Sequence, residues 1–355
     1  MGSPRRSSAR RNSGSVLGRW RGAGVLFAFL TLSVALLALH GSDERWISAF
    51  SLDRERPEES LTVAAVQFEM SEELLLDRAV FEREIVDSIE EAVAGGSDLV
   101  VFPEYINVFP ALAGSQLDAT SFAEVAETVA RSGALGRLRD AVGRRVGDRS
   151  VRELFTSSSE DTSKWMDRVY GGAAAEHAIH IVAGTYFARE PGEEDDRLKN
   201  RTVVYGPTGE RIYEQDKRFL TPFEEEVIGL DTGDPYDAAG VQVGEWSVGL
   251  TICRDTYFPV WNAVHHDRDL WIDLRGEATA FDGSVRQRLE EAIPARLHET
   301  GVPYGLTVFL TGELYGMYWE GRSSLVAGRD AELERLTSAE SRHERDVVVS
   351  QLPAP

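Results

Sequence analysis

This chain of 355 residues contains one cysteine, Cys253. No disulfide can form within the chain, and a core of this size does not require one. A lone thiol at the end of an apolar run is either a small core residue or a nucleophile, and position alone favours the core residue. A catalytic interpretation therefore requires partner groups elsewhere in the sequence.

Positive charge is also scarce. The chain carries 38 Lys and Arg against 59 Asp and Glu, a formal net charge of −21, and its lysines are Lys164, Lys199 and Lys217. This balance argues against a nucleic-acid partner, because a phosphate backbone would be repelled on average. The sequence also lacks a glycine-rich phosphate loop of the type G-x-x-x-x-G-K-[ST].

Long apolar runs are missing, with one exception near the N-terminus. Residues 1–22 hold six arginines and no acid, and residues 23–39 follow as 17 positions without a charge. The pattern indicates a targeting or transmembrane segment outside the fold. His40 fits the small-x-small pattern of a signal-peptidase site poorly, so we expect a retained single-pass signal anchor, with cleavage and secretion as the alternative. The leading arginines predict a cytoplasmic N-terminus and an extracytoplasmic catalytic domain.

The remainder of the chain has the composition of a linker and then of one α/β domain. Residues 40–60 are polar, and residues 61–352 alternate strand-length apolar runs with helical patterns. A helical insert is expected over about residues 111–170. The domain opens with a strand over 61–68, a helix over 72–94 ended by two glycines, and a strand over 98–102. Further strands are predicted at 179–184, 201–205, 210–213, 246–252, 270–274, 303–310 and 346–352, with a hairpin near 322–327 and a helix over 284–300.

Three of these predicted strands or hairpins are followed by a reactive side chain, namely Glu104, Lys217 and Cys253. Functional groups converge at strand ends in α/β sheets. A glutamate can act as a base, a lysine can stabilise an anion, and a cysteine can act as a nucleophile. The three residues together supply the partner groups that a lone thiol requires.

The segments around these residues resemble those of the carbon-nitrogen hydrolase, or nitrilase, superfamily, whose triad is Glu, Lys and Cys in that chain order. Phe102-Pro-Glu-Tyr105 matches its F-P-E segment, and Lys217-Arg-Phe-Leu-Thr-Pro-Phe-Glu-Glu225 matches its K-x-x-L-x-P-F-x-E segment. Cys253-Arg-Asp255 with Phe258-Pro259 matches its C-x-D/E-x-x-F-P segment. Each motif is short, but all three occur in order and include the single cysteine.

The resemblance extends over residues 61–352 and implies a four-layer αββα sandwich. It implies hydrolysis of a non-peptide carbon-nitrogen bond in a small amide or related compound, through a thioester on Cys253 and without a metal or cofactor. In the family's mechanism Glu104 would be the general base and acid. Lys217 would stabilise the oxyanion together with the backbone N–H of Arg254. Dimers or larger homo-oligomers are also implied.

The family's second glutamate, which hydrogen-bonds the lysine, corresponds to Glu225 in this chain. Its neighbours Glu224 and Glu226 take that place if the register shifts by one residue. Asn200 lies where the family often has an asparagine that opens the hairpin, and we expect it to be a scaffold residue.

Other functions stay open at this point. The superfamily includes a membrane enzyme that N-acylates lipoproteins, which Lys217–Glu225 also resembles, although that branch has several membrane spans. A catalytically silent binding protein would keep the fold without bringing the triad together. Arg254 is an unusual residue after the nucleophile, which leaves the substrate class open.

The histidines offer no alternative site. His265-His266-Asp267 is a poor metal site, since adjacent histidines point in different directions, and no histidine spacing selects a partner for Cys253.

Overall fold

Strands make up most of the regular structure in the part of the chain that the computed structural model describes. The described residues are 56–108, 151–192, 196–277, 288–289, 292–314, 317–329 and 332–355. The segment Arg56–Pro355 forms one compact unit. The basic segment 1–22, the predicted signal anchor 23–39 and most of the predicted linker lie outside the described residues. Within the described residues, no helix is both long and apolar enough to cross a membrane.

The strands and helices of the described residues are numbered in chain order. The strands are β1 (Leu61–Met70), β2 (Leu99–Val101), β3 (His180–Glu190), β4 (Arg197–Tyr205), β5 (Arg211–Asp216), β6 (Val241–Val243), β7 (Trp246–Ile252), β8 (Leu270–Arg275), β9 (Tyr304–Leu314), β10 (Met317–Trp319), β11 (Ser324–Arg329), β12 (Glu332–Ser338) and β13 (Asp346–Leu352). The α-helices are α1 (Glu72–Leu76), α2 (Arg78–Ala94), α3 (Val151–Met166), α4 (Gly172–His177), α5 (Val260–His265) and α6 (Ile293–Thr300).

The strands form two sheets built to the same plan, each with a parallel centre and antiparallel flanks. The first sheet has the order β5-β4-β3-β2-β1-β13, with β1, β2 and β3 parallel. The second has the order β6-β7-β8-β9-β11-β12, with β7, β8 and β9 parallel. A short parallel pairing between Phe68–Met70 and Leu310–Gly312 joins the two sheets.

The two sheets pack face to face, and helices cover their outer faces. Alternate residues of the strands form the core between the sheets, among them Val63 and Val101 from the first sheet and Leu250 and Ile272 from the second. The intervening residues of the first sheet pack against α2, α3 and α4, and Trp271 of the second sheet packs against α5 and α6. Because strand side chains alternate between faces, each sheet is apolar on both sides. The expected four-layer αββα sandwich is therefore confirmed.

The predicted helix over 72–94 is two helices, because the chain breaks at Asp77. The Asp77 carboxylate accepts hydrogen bonds from the backbone N–H groups of Ala79 at 2.8 Å and Val80 at 3.4 Å, and so caps α2. Of the predicted insert, residues 111–150 lie outside the described residues, while α3, a π-helical turn over Asp167–Gly171 and α4 follow. Part of the predicted helix over 284–300 also lies outside them, and α6 covers its last turns.

Candidate active site

Glu104 lies in the turn that follows β2, where the backbone is closely packed against β3. An added Cβ at Gly184 of β3 would lie 2.2 Å from the carbonyl oxygen of Pro103, so only glycine fits there, and its φ is +66°. The next residue, Tyr105, also has a positive φ of 64°, and its N–H donates to Thr185 Oγ1 at 2.8 Å. This packing turns the Glu104 side chain into the protein interior, where it is fully buried.

Three donors surround the Glu104 carboxylate. Lys217 Nζ lies 2.7 Å and Asn200 Nδ2 lies 3.0 Å from Oε1. The backbone N–H of Gly276, just after β8, donates to Oε2 at 3.0 Å. Cys253 is also buried close to this group, since each of the two side chains shifts the pKa of the other. The three residues predicted from sequence, Glu104, Lys217 and Cys253, therefore meet in one buried cluster.

Lys217 follows β5 directly, and its ammonium group is held between two carboxylates. Nζ is fully buried, 2.7 Å from Glu104 Oε1 and 2.8 Å from Glu224 Oε2. The ammonium also lies 5.6 Å from the centre of the Tyr105 ring, within cation–π range. Its backbone N–H donates to the carbonyl of Asn200 at 2.8 Å, which holds the residue beside β4.

The second glutamate of the site is Glu224, so the prediction of Glu225 is wrong by one residue. A π-helical turn over Phe223–Ile228 leaves Glu225 exposed and turns Glu224 inward. Glu224 Oε2 accepts hydrogen bonds from the N–H of Thr221 at 2.7 Å and from its hydroxyl at 2.9 Å. The hydrogen bonds from Thr221 thus select Glu224 among three consecutive glutamates. The sequence does not show this choice, because it depends on the geometry of the turn.

Asn200 is part of the site and not only of the scaffold. Its Nδ2 donates to Glu104 Oε1 at 3.0 Å and to Glu224 Oε1 at 2.8 Å, so one amide bridges the two carboxylates. The residue lies on β4 and is fully buried. In the sequence, only the family resemblance pointed to Asn200, because a lone asparagine in a strand does not by itself indicate a function.

Cys253 is the first residue of a 3₁₀ turn, Cys253–Tyr257, that begins where β7 ends. Its φ is 51°, in the left-handed region that residues other than glycine rarely adopt. Such a conformation costs on the order of 1–3 kcal/mol and persists where surrounding packing imposes it. The side chain is 7% exposed. The thiol is therefore held at a sharp strand-to-turn junction, next to Glu104.

The segments of Cys253 and Lys217 are tied together by Asp255, whose role the sequence did not reveal. Its fully buried carboxyl group accepts hydrogen bonds from the N–H groups of Phe219 at 2.7 Å and Arg218 at 3.1 Å. Arg254 adds a second tie, because its guanidinium donates to the carbonyl of Leu220 at 2.9 Å. The side chain of Arg254 thus braces the segment that follows Lys217.

Burial and charge give the four ionisable groups of the cluster different proton affinities. Burial raises the pKa of Glu104 to about 7, and the charge of Glu224 adds to this, although Lys217 opposes it. Burial likewise opposes charge on Lys217 and Glu224. The charges of Glu104 and Glu224 nevertheless raise the pKa of Lys217, and the charge of Lys217 lowers the pKa of Glu224. Burial and the charge of Glu104 raise the pKa of the Cys253 thiol well above its usual range. Of these four groups, Glu104 is thus the one that can gain or lose a proton near neutral pH, and burial raises the pKa of the adjoining Asp255 to about 7 as well.

No group of three or more His, Cys, Asp or Glu side chains within the described residues is placed to hold a metal ion. His265 is buried against Trp261 and Trp271, and its Nε2 lies 2.9 Å from the carbonyl oxygen of Leu250. Burial lowers its pKa to about 4, so the ring is neutral. His265 therefore belongs to the packing between α5 and the second sheet.

Comparisons with known proteins agree with this architecture. The model of the carbon-nitrogen hydrolase family matches residues 62–269, more than half of the chain, and the protein belongs to that family. Among solved structures it is similar to the amidase from Nesterenkonia sp. AN1. A double mutant of that amidase in complex with acrylamide is 15% identical with a TM-score of 0.54, covering 84% of this chain and 92% of that chain. A mutant with the acetamide moiety of fluoroacetamide covalently added at the active-site cysteine is 17% identical, with a TM-score of 0.54, covering 84% and 93%.

At these identities the likeness to solved structures shows a common fold, the α/β fold of the nitrilase superfamily. A comparison with curated proteins finds no match. The family match thus establishes membership of the carbon-nitrogen hydrolase family, and the structural likeness shows the fold.

Proposed function

We propose that this protein is an amidohydrolase that cleaves a small, non-peptide amide through a thioester on Cys253. The observation that carries the proposal is the 2.7 Å contact between Lys217 Nζ and Glu104 Oε1, inside a buried cluster that also holds the only thiol of the chain. A base, a cation and a nucleophile within hydrogen-bond reach are what acyl transfer requires.

In the first step Cys253 Sγ attacks the amide carbon while Glu104 accepts the thiol proton. The raised pKa of the thiol supports a transfer coupled to attack, because a free thiolate is disfavoured in the resting site. The tetrahedral intermediate then collapses as Glu104 returns the proton to the amine nitrogen. The carbon-nitrogen bond breaks, the amine leaves, and the acyl group remains on Cys253 as a thioester.

The negative charge that develops on the amide oxygen needs fixed donors. Lys217 is suited to this role because its neighbours keep it protonated and immobile. The backbone N–H of Arg254, the residue after the nucleophile, is the second proposed donor. Loss of one such donor typically lowers the rate by roughly 100-fold or more.

The second half of the reaction repeats these roles with water. Glu104 takes a proton from water, and the hydroxide attacks the thioester carbon. The carbon–sulfur bond then breaks, Glu104 returns the proton to Cys253 Sγ, and the carboxylic acid leaves. A carboxyl group whose pKa lies at about 7 can act as base and as acid near neutral pH. Glu224 and Asn200 are proposed to hold Lys217 and Glu104 in place throughout.

Convergence of the triad weighs against a catalytically silent binding protein, which would not need a buried Lys–Glu contact at the only thiol. An N-acyltransferase would use the same thioester with an amine as acceptor. Product analysis in the presence of added amines separates these two reactions, since hydrolysis yields the free acid and transfer yields a new amide.

The test is a panel of amides, nitriles and ureido compounds assayed with wild type, Cys253→Ala and the control Ser88→Ala. Ser88 is a buried hydroxyl residue on α2 whose Oγ donates to the carbonyl of Glu84, so its loss perturbs the core without touching the cluster. We expect turnover of at least one amide by wild type and Ser88→Ala, and none by Cys253→Ala. Full activity of Cys253→Ala would show that the mechanism is wrong.

We also propose that residues 23–39 act as a retained signal anchor and that residues 56–355 work outside the cytoplasm. The support is the sequence pattern of six arginines before an uncharged 17-residue run. Carbonate extraction of membranes from cells that make the full chain tests this. An anchored protein stays in the pellet at full mass, a secreted one is shorter and soluble outside the cell, and a soluble full-length protein in the cytoplasm contradicts both.

A further inference from the structure

Arg275 lies beside the nucleophile at the end of the neighbouring strand. Ile252, the last residue of β7, pairs with Leu274 of the parallel strand β8, so Cys253 and Arg275 each directly follow a member of this pair. Such strands run about 4.8 Å apart. The following residue, Gly276, donates its N–H to Glu104 Oε2 at 3.0 Å. The end of β8 therefore borders both the nucleophile and the proposed base.

The guanidinium of Arg275 is held rigidly but incompletely satisfied. Its side chain is fully buried, Nε donates to Asp273 Oδ2 at 2.6 Å, and Nη1 donates to the Tyr257 hydroxyl at 2.5 Å. The guanidinium carbon lies 4.8 Å from the centre of the Tyr257 ring. Nη2 is buried and has no hydrogen-bond partner among the described residues. A buried charged donor without an acceptor is costly, so a ligand oxygen at this position would be strongly favoured.

The charges around Arg275 decide what kind of oxygen fits. Asp273 lies 2.6 Å from Arg275, and Glu277 pairs with both Arg288 at 2.6 Å and Arg275 Nη1 at 3.4 Å. The adjoining catalytic cluster contains one lysine and two glutamates. No surplus of positive charge is left among these groups to offset a second carboxylate brought in by a substrate. A neutral oxygen, such as a hydroxyl, ether or carbonyl oxygen, needs one donor and no counter-charge.

We propose that Arg275 Nη2 donates a hydrogen bond to a neutral oxygen on the acyl part of the substrate, one or two bonds from the scissile carbonyl. The inference rests on the proposed function, because attack by Cys253 fixes where the carbonyl carbon lies. The acyl part stays on Cys253 after the amine leaves, so it is the part that lies beside the adjacent end of β8. The substrate class is thus the primary amides of oxygen-substituted acids, in preference to alkyl amides or to amides that carry a free carboxylate.

Isosteric pairs of amides test the proposal. Glycolamide and propionamide differ by a hydroxyl against a methyl group, as do lactamide and isobutyramide, and malonamate supplies the anionic comparison. We expect wild type to favour the hydroxy compound of each pair by about 10- to 100-fold in kcat/KM, since a site with a buried donor rejects an analogue that lacks its acceptor. Malonamate should be a poorer substrate than glycolamide.

Arg275→Lys keeps the cation beside Asp273 but removes the forked Nη2 donor. We expect the preference for the hydroxy compound to fall to within about threefold in this variant. Arg296→Lys is the matched control, because Arg296 is also buried and paired with a carboxylate, that of Glu299 at 3.1 Å, but on α6. It should keep the preference of wild type. Binding of glycolamide and propionamide to Cys253→Ala, measured by calorimetry, gives the same comparison without turnover.

The outcomes separate this inference from the proposed function. Equal use of glycolamide and propionamide by wild type, with activity that still requires Cys253, would overturn the role of Arg275 and leave the amidohydrolase in place. A preference that survives Arg275→Lys would also overturn it, and a preference for malonamate would indicate an anion subsite instead. If Cys253→Ala binds none of these amides and wild type hydrolyses none, both proposals are wrong.

Discussion

Glu104 and Glu224 share one lysine and one asparagine, yet their pKa values move in opposite directions. Both oxygens of the Glu224 carboxylate accept hydrogen bonds from the Lys217 ammonium group, and Oε2 accepts two more from Thr221, which favours the ionised form of Glu224. For Glu104, burial outweighs its donors, and its pKa rises to about 7. When the environments of two carboxylates separate their pKa values in this way, one can stay ionised while the other accepts and donates a proton.

The first prediction concerns the proton carrier. Because the base must be deprotonated, and because the pKa of Glu104 is raised to about 7, wild-type kcat/KM should fall as pH decreases through 7. In Glu104→Gln we expect a loss of at least about 100-fold at pH 7.5. Initial rates from pH 5 to 9 measure both effects. A flat profile between pH 5.5 and 8, or a fully active glutamine variant, would contradict the assignment.

At the scale of elements, short turns after the strands hold the residues proposed to react, while the strands themselves form the core. The 3₁₀ turn at Cys253–Tyr257 presents the thiol, and the π-helical turn at Phe223–Ile228 presents Glu224. Neither turn is visible as a periodic pattern, because each is shorter than the window in which helical periodicity can be read. The strands before them are visible, since buried parallel strands appear as continuous apolar runs.

The π-helical turn leads to a second prediction, in which neighbouring glutamates serve as test and control. Glu224→Gln removes one of the two carboxylates on Lys217, and we expect kcat/KM to fall about 10-fold or more. The melting temperature should fall as well, because Lys217 and Thr221 lose a buried charged acceptor. Glu225→Gln changes an exposed side chain and should stay within about twofold of wild type. Steady-state kinetics of the two variants and their melting temperatures decide the matter. The reverse order of effects would restore Glu225 to the site.

Of the two ends of α2, one can be predicted from the sequence and the other cannot. The end of α2 at Gly95 follows from the glycine pair, which the sequence displays. The break at Asp77 does not follow from the sequence, because Leu75, Leu76, Val80 and Ile85 continue a helical spacing across it. A side-chain cap competes with helix continuation, and the packing of α2 on the first sheet decides between them.

At the scale of the whole unit, the two sheets are joined at one short pairing where β1 meets β9. Gly312 there has a φ of +101°, and an added Cβ would lie 2.2 Å from the carbonyl oxygen of Met70. The close approach lets the last residues of β1, beyond its pairing with β2, continue into the second sheet. The crossing thereby sets how the sheets that carry Glu104 and Cys253 are placed relative to each other.

The third prediction tests that crossing. Gly312→Ala should lower the free energy of unfolding by more than about 2 kcal/mol, because the clash is with backbone and the φ is positive. Gly172→Ala is the matched control, since Gly172 lies in α4 with open space around it, and this change should gain up to about 1 kcal/mol. Urea denaturation measures both. Equal stability of the two variants would show that the crossing is not under this constraint.

The sequence by itself determined the layered α/β class, most of the strands and which three residues, Glu104, Lys217 and Cys253, to look for in one cluster, because burial patterns and motif order are local properties of the chain. The tertiary structure decided which glutamate contacts Lys217, that Asn200 bridges two carboxylates, and that Asp255 ties the cysteine turn to the lysine segment. It also placed Arg275 beside the nucleophile. These are contacts between residues far apart in the chain, and they depend on register, turn geometry and burial, which exist only once the two sheets have packed.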